Sequence, residues 1–510
     1  MNQKEHIGQD FKVGLYNYED EELFICHREI REVRLVMVGI ESYGAYIPML
    51  RMERELIGKS WGRRSLRGER SVANNDEDTV TMSSEAISDC LTGFDRNGVG
   101  GLYFASTSAP YKEKQSSTLL AKIAVLSDEV ITGDFANSLR AGSAALEGAV
   151  NAVKSGSVKQ MLVAASDCRL GYPRSDEEQL FGDGAAALLI GDTDVIANIV
   201  ERVSFSNELT DTWRNPEDTY VRTWEKRWVL SEGYQKIMER AVSSLMNKCG
   251  LKADAVAKAV FSAPDERSYK TLGKKLGFNL ENQLQNPLLS NVGYCGVAHP
   301  IMVLISALED AQPGDKIIMA AHGNGADAFL IEVTKNITSY HGRRGIKKNL
   351  KSKLLLTSYQ RYLSYRGLLE AVPGEPFRLL PSATSYWREL DSILSCLGSK
   401  CRKCGTVTYP IQRVCYNCSA KDDYDLIRLS DKKGTLFDFT LDNLAGRSDD
   451  PVIVQAIVET DDEKCRIYSL MTDCDPSKVY IGMPVELTLR RLYEGAGFHN
   501  YSWKCRPVKN

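Results

Sequence analysis

The sequence predicts an α/β protein built from one unit used twice, followed by a metal-binding ribbon and a small β-barrel. Three observations carry this expectation. Four kinds of segment recur in the same order between residues 34 and 335. Four cysteines then fall at C-x-x-C, ten residues, C-x-x-C spacing, and short alternating strands run on from there.

Taken in order, residues 1–33 are a charged lead-in whose pattern defines no element. A strand opens in RLVMVGIESYGAYIP, and an α/β pattern continues to residue 335. GGLYFAST and AKAVFSAP are buried-strand runs that end in small polar residues. AGSAALEGAVNAVKSG and HPIMVLISALEDAQPG are amphipathic helices, each expected to end at a glycine C-cap. SVKQMLVAASD and DKIIMAAHGNG are the strands that follow, and DGAAALLIGD and GADAFLIEVT close each half. One β-α-β-β unit used twice predicts two similar halves about a pseudo-twofold axis. Residues 336–385, basic and then aromatic, are expected to form an extended connecting arm, because Pro373 and Pro376 break helix. Their basic run fits a solvated face, with a phosphate contact as the alternative.

Residues 386–510 hold the most specific local signal. Cys401, Cys404, Cys415 and Cys418 form two knuckles that supply four thiolates to a tetrahedral zinc. Four protein ligands leave no open coordination position, so the zinc is expected to be structural. GTLFDFTLDN, PVIVQAIVET, RIYSLMTD and PVELTLRRLY alternate as strands of a small OB-type barrel. That barrel lacks a dense basic and aromatic face, so no nucleic-acid partner is expected.

Composition bounds the function classes. The chain has 510 residues, 43% apolar and 26% charged, as in an ordinary soluble enzyme of two or three domains. A net charge of −3 gives no global attraction to nucleic acid or anionic lipid. No uncharged apolar run approaches the roughly 18 residues of a membrane span. The polar N-terminal stretch lacks a signal-like hydrophobic region, and the 13 cysteines do not read as a secreted disulfide framework, so a cytoplasmic location is expected.

GAYIP, DEDTVTM, AGSAALEGAVNAVKSG, SDCRLGYP, GDGAAALLIGD and PGDKI resemble the thiolase superfamily, and within it the 3-hydroxy-3-methylglutaryl-CoA synthase branch. SYQRYLSYRG is similar to the tail of such synthases. Residues 386–510 look like the accessory proteins, rubredoxin-like zinc ribbon plus OB-fold, that accompany thiolases. The resemblance implies a five-layer αβαβα domain acting on acyl-CoA. It also implies a homodimer paired through edge strands, with a thiolase-type subunit as a further option, and a ribbon–barrel module near the mouth of the CoA tunnel.

Members of that family acylate a cysteine at the N-terminus of the central helix, whose positive end lowers the thiol pKa. Carried onto this chain, the cysteine falls on Leu139, the glutamate on Thr107, the histidine on Ser262 and the asparagine on Tyr294. All four are changed. A leucine has no nucleophilic chemistry, and the adjacent Ser138 reads as a helix cap.

New polar groups stand in the loops expected at the same pocket. Tyr294 is suited to donate a hydrogen bond to a thioester enolate, and His322, among glycines at a strand end, to act as general base. Cys295 is the candidate for a displaced nucleophile, or else a small core residue. His299, before Pro300, either caps its helix or points inward. Three functions remain open at this stage. One is an enzyme making or cleaving a carbon–carbon bond by an aldol or retro-aldol route, without an acyl-enzyme. Another is an acyltransferase or Claisen-type enzyme with a relocated cysteine. The last is a non-catalytic CoA-binding scaffold in a thiolase complex.

Overall fold

The computed structural model describes residues 37–369, 381–444, 446–447 and 450–509; the lead-in 1–33 and Pro373 and Pro376 of the arm lie outside these. The first half runs β1 (Gly39–Tyr46), α1 (Thr79–Cys90), β2 (Val99–Ala105), α2 (Ser116–Ile123), β3 (Ile131–Phe135), α3 (Ala141–Lys154), β4 (Gln160–Asp167) and β5 (Gly184–Gly191). The second half runs β6 (Ala197–Ser206), α4 (Lys236–Lys248), β7 (Lys258–Phe261), α5 (Glu266–Lys275), α6 (His299–Leu308), β8 (Lys316–His322) and β9 (Gly325–Val333).

Strand order shows the duplication. The first half pairs as β3-β2-β4-β5-β1 and the second as β7-β8-β9-β6. In each, a parallel pair (β2 with β4, β7 with β8) is followed by two antiparallel neighbours. The halves join at a short seam, where Gly39 and Ile40 pair with Asn198 and Ala197. The counterpart of β3 in the second half shrinks to one parallel bridge between Ala259 and Leu284. The polar stretch before it and Pro287 after it leave little to extend a strand.

Burial follows from these faces. Alanine-rich α3 and apolar α6 share one core with residues of both half-sheets, among them Val163, Leu188, Met319 and Phe329. α1 and α2 cover the outer face of the first half, and α4 and α5 that of the second. The result is five layers, α/β/α/β/α. Asp78 starts α1 with a capping box, accepting from Val80 and Thr81 backbone N–H while the Thr81 hydroxyl accepts from Asp78 N–H. Gly156 (φ 73°) follows α3, as a glycine C-cap requires. α6 departs from that pattern. It stops at Leu308, well before Gly314, which instead turns the chain toward β8. Among the described residues no helix is long and apolar enough to cross a membrane.

The segment expected as an extended arm is folded where it is described. α7 (Gly345–Lys351) starts against two carboxylates: Asp89 accepts from Arg344 and Gly345 N–H, and Glu309 from Ile346 N–H. Leu354 and Leu355 pair with Leu50 and Arg51. α8 (Tyr359–Tyr365) buries Tyr359 and Tyr362 against Met52 and Ile57. Tyrosines at helical spacing found an apolar face to cover, and members of the basic run meet carboxylates: Arg344 pairs with Glu486 and Lys353 with Glu69.

Beyond it, β10 (Leu397–Cys401), β11 (Val407–Thr408) and β12 (Tyr424–Arg428) form the ribbon. β13 (Lys433–Asp442), β14 (Ile453–Thr460), β15 (Arg466–Met471), β16 (Pro484–Gly495) and β17 (Phe498–Pro507) close a barrel in the order β13-β14-β15-β17-β16. The four expected strands are there, with β17 as the fifth. Barrel residues such as Leu436, Val458 and Leu489 join the same core as α1 and α2.

That contact also buries a group of charges. The Arg490 guanidinium lies 2.7 Å from Asp473 and 3.1 Å from Glu77, all three side chains being fully buried. Arg506 pairs with Glu486 at 2.8 Å and with Glu85, and Lys504 with Asp76 at 2.8 Å. Burial alone would raise the Glu85 carboxyl, but Arg506, Arg490 and Arg344 together hold it down at about 2.

Candidate active site

The central helix is entered through a tight turn. Asn137 adopts φ 64°, and the Ser138 hydroxyl donates to Gly323 O (3.1 Å) and accepts from Arg140 N–H (3.3 Å), so Ser138 serves the turn. Arg140 is fixed to Asp327 at 2.9 Å, and Ser143 also donates to Asp327. The loop after β8 presses on this turn so closely that a Cβ at Gly323 would lie 2.9 Å from Leu139 Cβ. Glycine is required there by contact.

Leu139 therefore faces a cavity of about 90 Å³ between the helix entry and the second half. Ser262, Tyr294 and His322 line it too, so four of the positions singled out in the sequence meet at one place. Ser262 ties two of its neighbours together. Its hydroxyl accepts from His322 backbone N–H (3.1 Å), and its carbonyl accepts from the Tyr234 hydroxyl (2.6 Å). Burial raises the Tyr294 hydroxyl to about 12, with nearby Arg169 opposing, so it remains a proton donor at neutral pH. Burial lowers the His322 imidazole, partly offset by Asp211, whose carboxylate is 3.7 Å from Nε2. A neutral imidazole with a carboxylate behind it is equipped to accept a proton.

Three other expected positions lie elsewhere. Thr107 does not line the cavity; its hydroxyl donates to both oxygens of Asp167 at 3.0 Å. Cys295 is packed in the central core with its thiol toward Gly293 O (3.7 Å), and burial pushes that thiol far up, which suits a small apolar residue better than a nucleophile. His299 packs behind Tyr294, ring centroids 4.9 Å apart and the planes tilted by 59°. Burial lowers it to about 3, and its Nε2 has no hydrogen-bond partner among the described residues.

Sequence reasoning missed Arg169, Asp211 and Tyr234, which share the lining with further charged groups, among them Glu177, Lys226 and Asp265. Arg169 ends the quoted SDCR run, a charge directly after a buried strand, which was the available signal. Among the described residues, none beyond residue 335 lines this cavity. Within this chain the module packs on the first-half core and reaches the loop after β2, where His499 N–H donates to the Tyr111 hydroxyl (2.9 Å).

The four ribbon cysteines converge separately. Their sulfurs all lie within 4.8 Å of one another, with Cys401–Cys418 and Cys404–Cys415 at 3.5 Å. A tetrahedron with Zn–S near 2.3 Å has edges of about 3.8 Å, so the set fits one such ion.

Five layers with a cavity at the entry of the central helix define a thiolase-like protein. More narrowly, the chain belongs to the hydroxymethylglutaryl-CoA synthase family. It is 31% identical over 345 residues to that synthase of Methanosphaera stadtmanae, covering 66% of this chain and 99% of the relative. It is 32% identical over 348 residues to that of Methanothermobacter thermautotrophicus, covering 65% and 99%. Among solved structures, an HMG-CoA synthase complexed with CoA matches at TM-score 0.59 and 18% identity, over 64% of this chain and 89% of that one. The HMG synthase of the curacin biosynthetic pathway, in complex with its holo donor-ACP, matches at TM-score 0.60 and 18% identity, over 77% and 100%. These structural likenesses concern the fold. Residues 397–423 match the family described as ChsH2, rubredoxin-like zinc ribbon domain.

Proposed function

We propose that the protein makes or cleaves a carbon–carbon bond in an acyl-CoA by an aldol or retro-aldol step, without a cysteine acyl-enzyme. The observation that carries this reading is the cavity itself, where Leu139 stands at the helix entry beside the Tyr294 donor and the His322–Asp211 pair. In the cleavage direction, His322 removes the proton of a 3-hydroxyl group and the C2–C3 bond breaks. Its electron pair passes into the thioester, giving an enolate whose oxygen accepts from the Tyr294 hydroxyl; protonation at C2 releases acyl-CoA and a carbonyl product. The reverse sequence is condensation. Family membership supports a CoA thioester as substrate, with the acyl end near Leu139. The relocated-thiol reading is weakened by the place of Cys295 outside the cavity.

In this reading the ribbon holds one zinc in a structural role, and the protein acts as a homodimer. Its exposed edge strand β3 is suited to pair across a twofold axis. The test uses a 3-hydroxyacyl-CoA and the purified protein alone, following the carbonyl product and the mass of the intact chain. Turnover with no acyl adduct is expected. A stable adduct on any cysteine refutes the proposal, and no turnover with any thioester despite CoA binding favours the scaffold.

A further inference from the structure

Arginines buried in this protein have acceptors, with one exception. Arg51, Arg54 and Arg70 donate to backbone carbonyls, and Arg490 and Arg506 to carboxylates. Arg169 is 5% exposed, and among the described residues nothing accepts a hydrogen bond from it and no carboxylate forms an ion pair with it. Its guanidinium lies over the Phe181 ring, 4.6 Å from the centroid, on the cavity wall. The backbone of the same Phe181 bridges to Tyr294, with Tyr294 N–H donating to Leu180 O (2.7 Å) and Gly182 N–H to Tyr294 O (3.2 Å). Phe181 thus seats a cation on its ring and a phenol donor at its backbone, and both line one cavity. The acids near Arg169 are occupied. Asp167 accepts from Ser106, Thr107, Ser108 and the Val297 N–H, and Asp211 accepts from Thr212 N–H and faces His322. Of the other charges on the wall, Lys226 pairs with Asp176 at 2.8 Å, Asp265 caps α5 through Ser268 N–H (2.8 Å), and Glu177 is only half-buried. A buried cation without a partner is costly, and an arginine cannot shed its charge as a lysine can. The Phe181 face offsets part of that cost.

We propose that Arg169 is a catalytic residue of this cavity, sharing with Tyr294 the oxygen of the thioester enolate. The inference rests on the carbon–carbon reading above and adds to it the group that balances the charge. An enolate oxygen bears a negative charge that the ground-state thioester carbonyl lacks, so a fixed cation beside it favours the enolate over the thioester. Tyr294, whose hydroxyl burial holds at about 12, supplies a neutral hydrogen bond and no counter-charge. Arg169 supplies the charge. Its lack of a partner in the resting cavity is what this role requires, because the counter-ion arises only when the enolate forms.

The test is hydrogen exchange at C2 of acetyl-CoA, incubated with the full-length protein in deuterium oxide and read by the mass of the ester. It follows enolate formation without knowledge of the carbonyl product. A C2 proton passes to His322, its electron pair moves onto the thioester oxygen, and a deuteron returns to C2 from solvent. Arg169→Met should slow exchange at saturating acetyl-CoA roughly a hundredfold, while calorimetry finds the affinity for acetyl-CoA within a few fold of wild type. Arg169→Gln should behave in the same way, and Arg169→Lys, which keeps the charge, should recover part of the rate. A merely structural arginine would instead lower the melting temperature and the affinity together with the rate. Exchange at the wild-type rate in Arg169→Met or Arg169→Gln overturns the proposal and leaves the carbon–carbon reading in place, and so does a loss of rate that only follows a loss of affinity. If wild type binds no acetyl-CoA, or binds it without exchange, the carbon–carbon reading falls and the role of Arg169 with it.

Discussion

Replacing Arg490 with methionine removes the centre of the buried charge group between the barrel and α1. The side chain is fully buried, 2.7 Å from Asp473 and 3.1 Å from Glu77. Removing one member of such a group typically costs about 3–5 kcal/mol, because its partners stay buried without a counter-charge. Two features set the expectation at the lower end. Asp473 keeps Arg506 at 3.9 Å, and Glu77, whose carboxyl burial already raises, can take up a proton. A loss of about 3 kcal/mol is a roughly hundredfold rise in the population with the interface open. Native-state hydrogen exchange reads this at one amide: Arg491 N–H donates across the contact to Asp76 O at 2.9 Å. Its protection should fall about a hundredfold in Arg490→Met, while Val163 in β4 keeps its own. Arg490→Lys, which retains a charge but not the fork, should fall between. Unchanged protection at Arg491 would show that the charges do not hold the module in place.

Tyr294→Phe should slow turnover roughly a hundredfold with folding intact, as expected for loss of one oxyanion donor, whereas Leu139→Ala should cost much less; full activity in Tyr294→Phe refutes the enolate role. Because burial lowers His322, the acid limb of kcat/KM should lie below the ordinary histidine value of about 6.5, and His322→Gln should remove it. Cys401→Ser should abolish the one zinc expected per chain and destabilise the ribbon; metal analysis finding no zinc in fresh wild type would contradict this. Burial raises Glu309 from 4.5 to about 7, against hydrogen bonds from Lys347 and Ile346. Its stabilising contribution is thus complete below about pH 4.5 and lost as pH rises through about 7, and Glu309→Gln should flatten that part of the stability profile.

The fold was legible because its signals are local. Buried strands such as LVAAS and ALLIG, and the alanine-rich helix that follows Leu139, announce themselves within a few residues. The cysteine knuckles do so within one loop and its return. The cavity was legible only in part. Leu139, Ser262 and Tyr294 were reachable through the family resemblance, which carries its site positions onto them, and His322 through its place among glycines at a strand end. Cys295 and His299 are neighbours of Tyr294 in sequence, yet the tight turn at Gly296 (φ 55°) ahead of α6 sends them into the core. Asp211 stands in SNELTDTWRNPED, which reads as a solvated loop; only its fold back over the cavity, completed by Tyr234, gives it a role.

The outer helices of the two halves have diverged in what they require. α1 buries ten of its twelve residues, whereas its counterpart α4 buries six of thirteen and keeps a wet side. A helix hidden almost all round cannot be released into water, so the ribbon and barrel are not a cargo that the duplicated domain could shed. Were the chain encoded as two polypeptides, both would have to be made together and in equal amount, since each would expose a sticky, charged scar until it met the other. A foreign barrel grafted in its place would have to reproduce Arg490 and Arg506 at the same register opposite Glu77 and Glu85. Inheritance has thus welded what composition alone would present as separable parts.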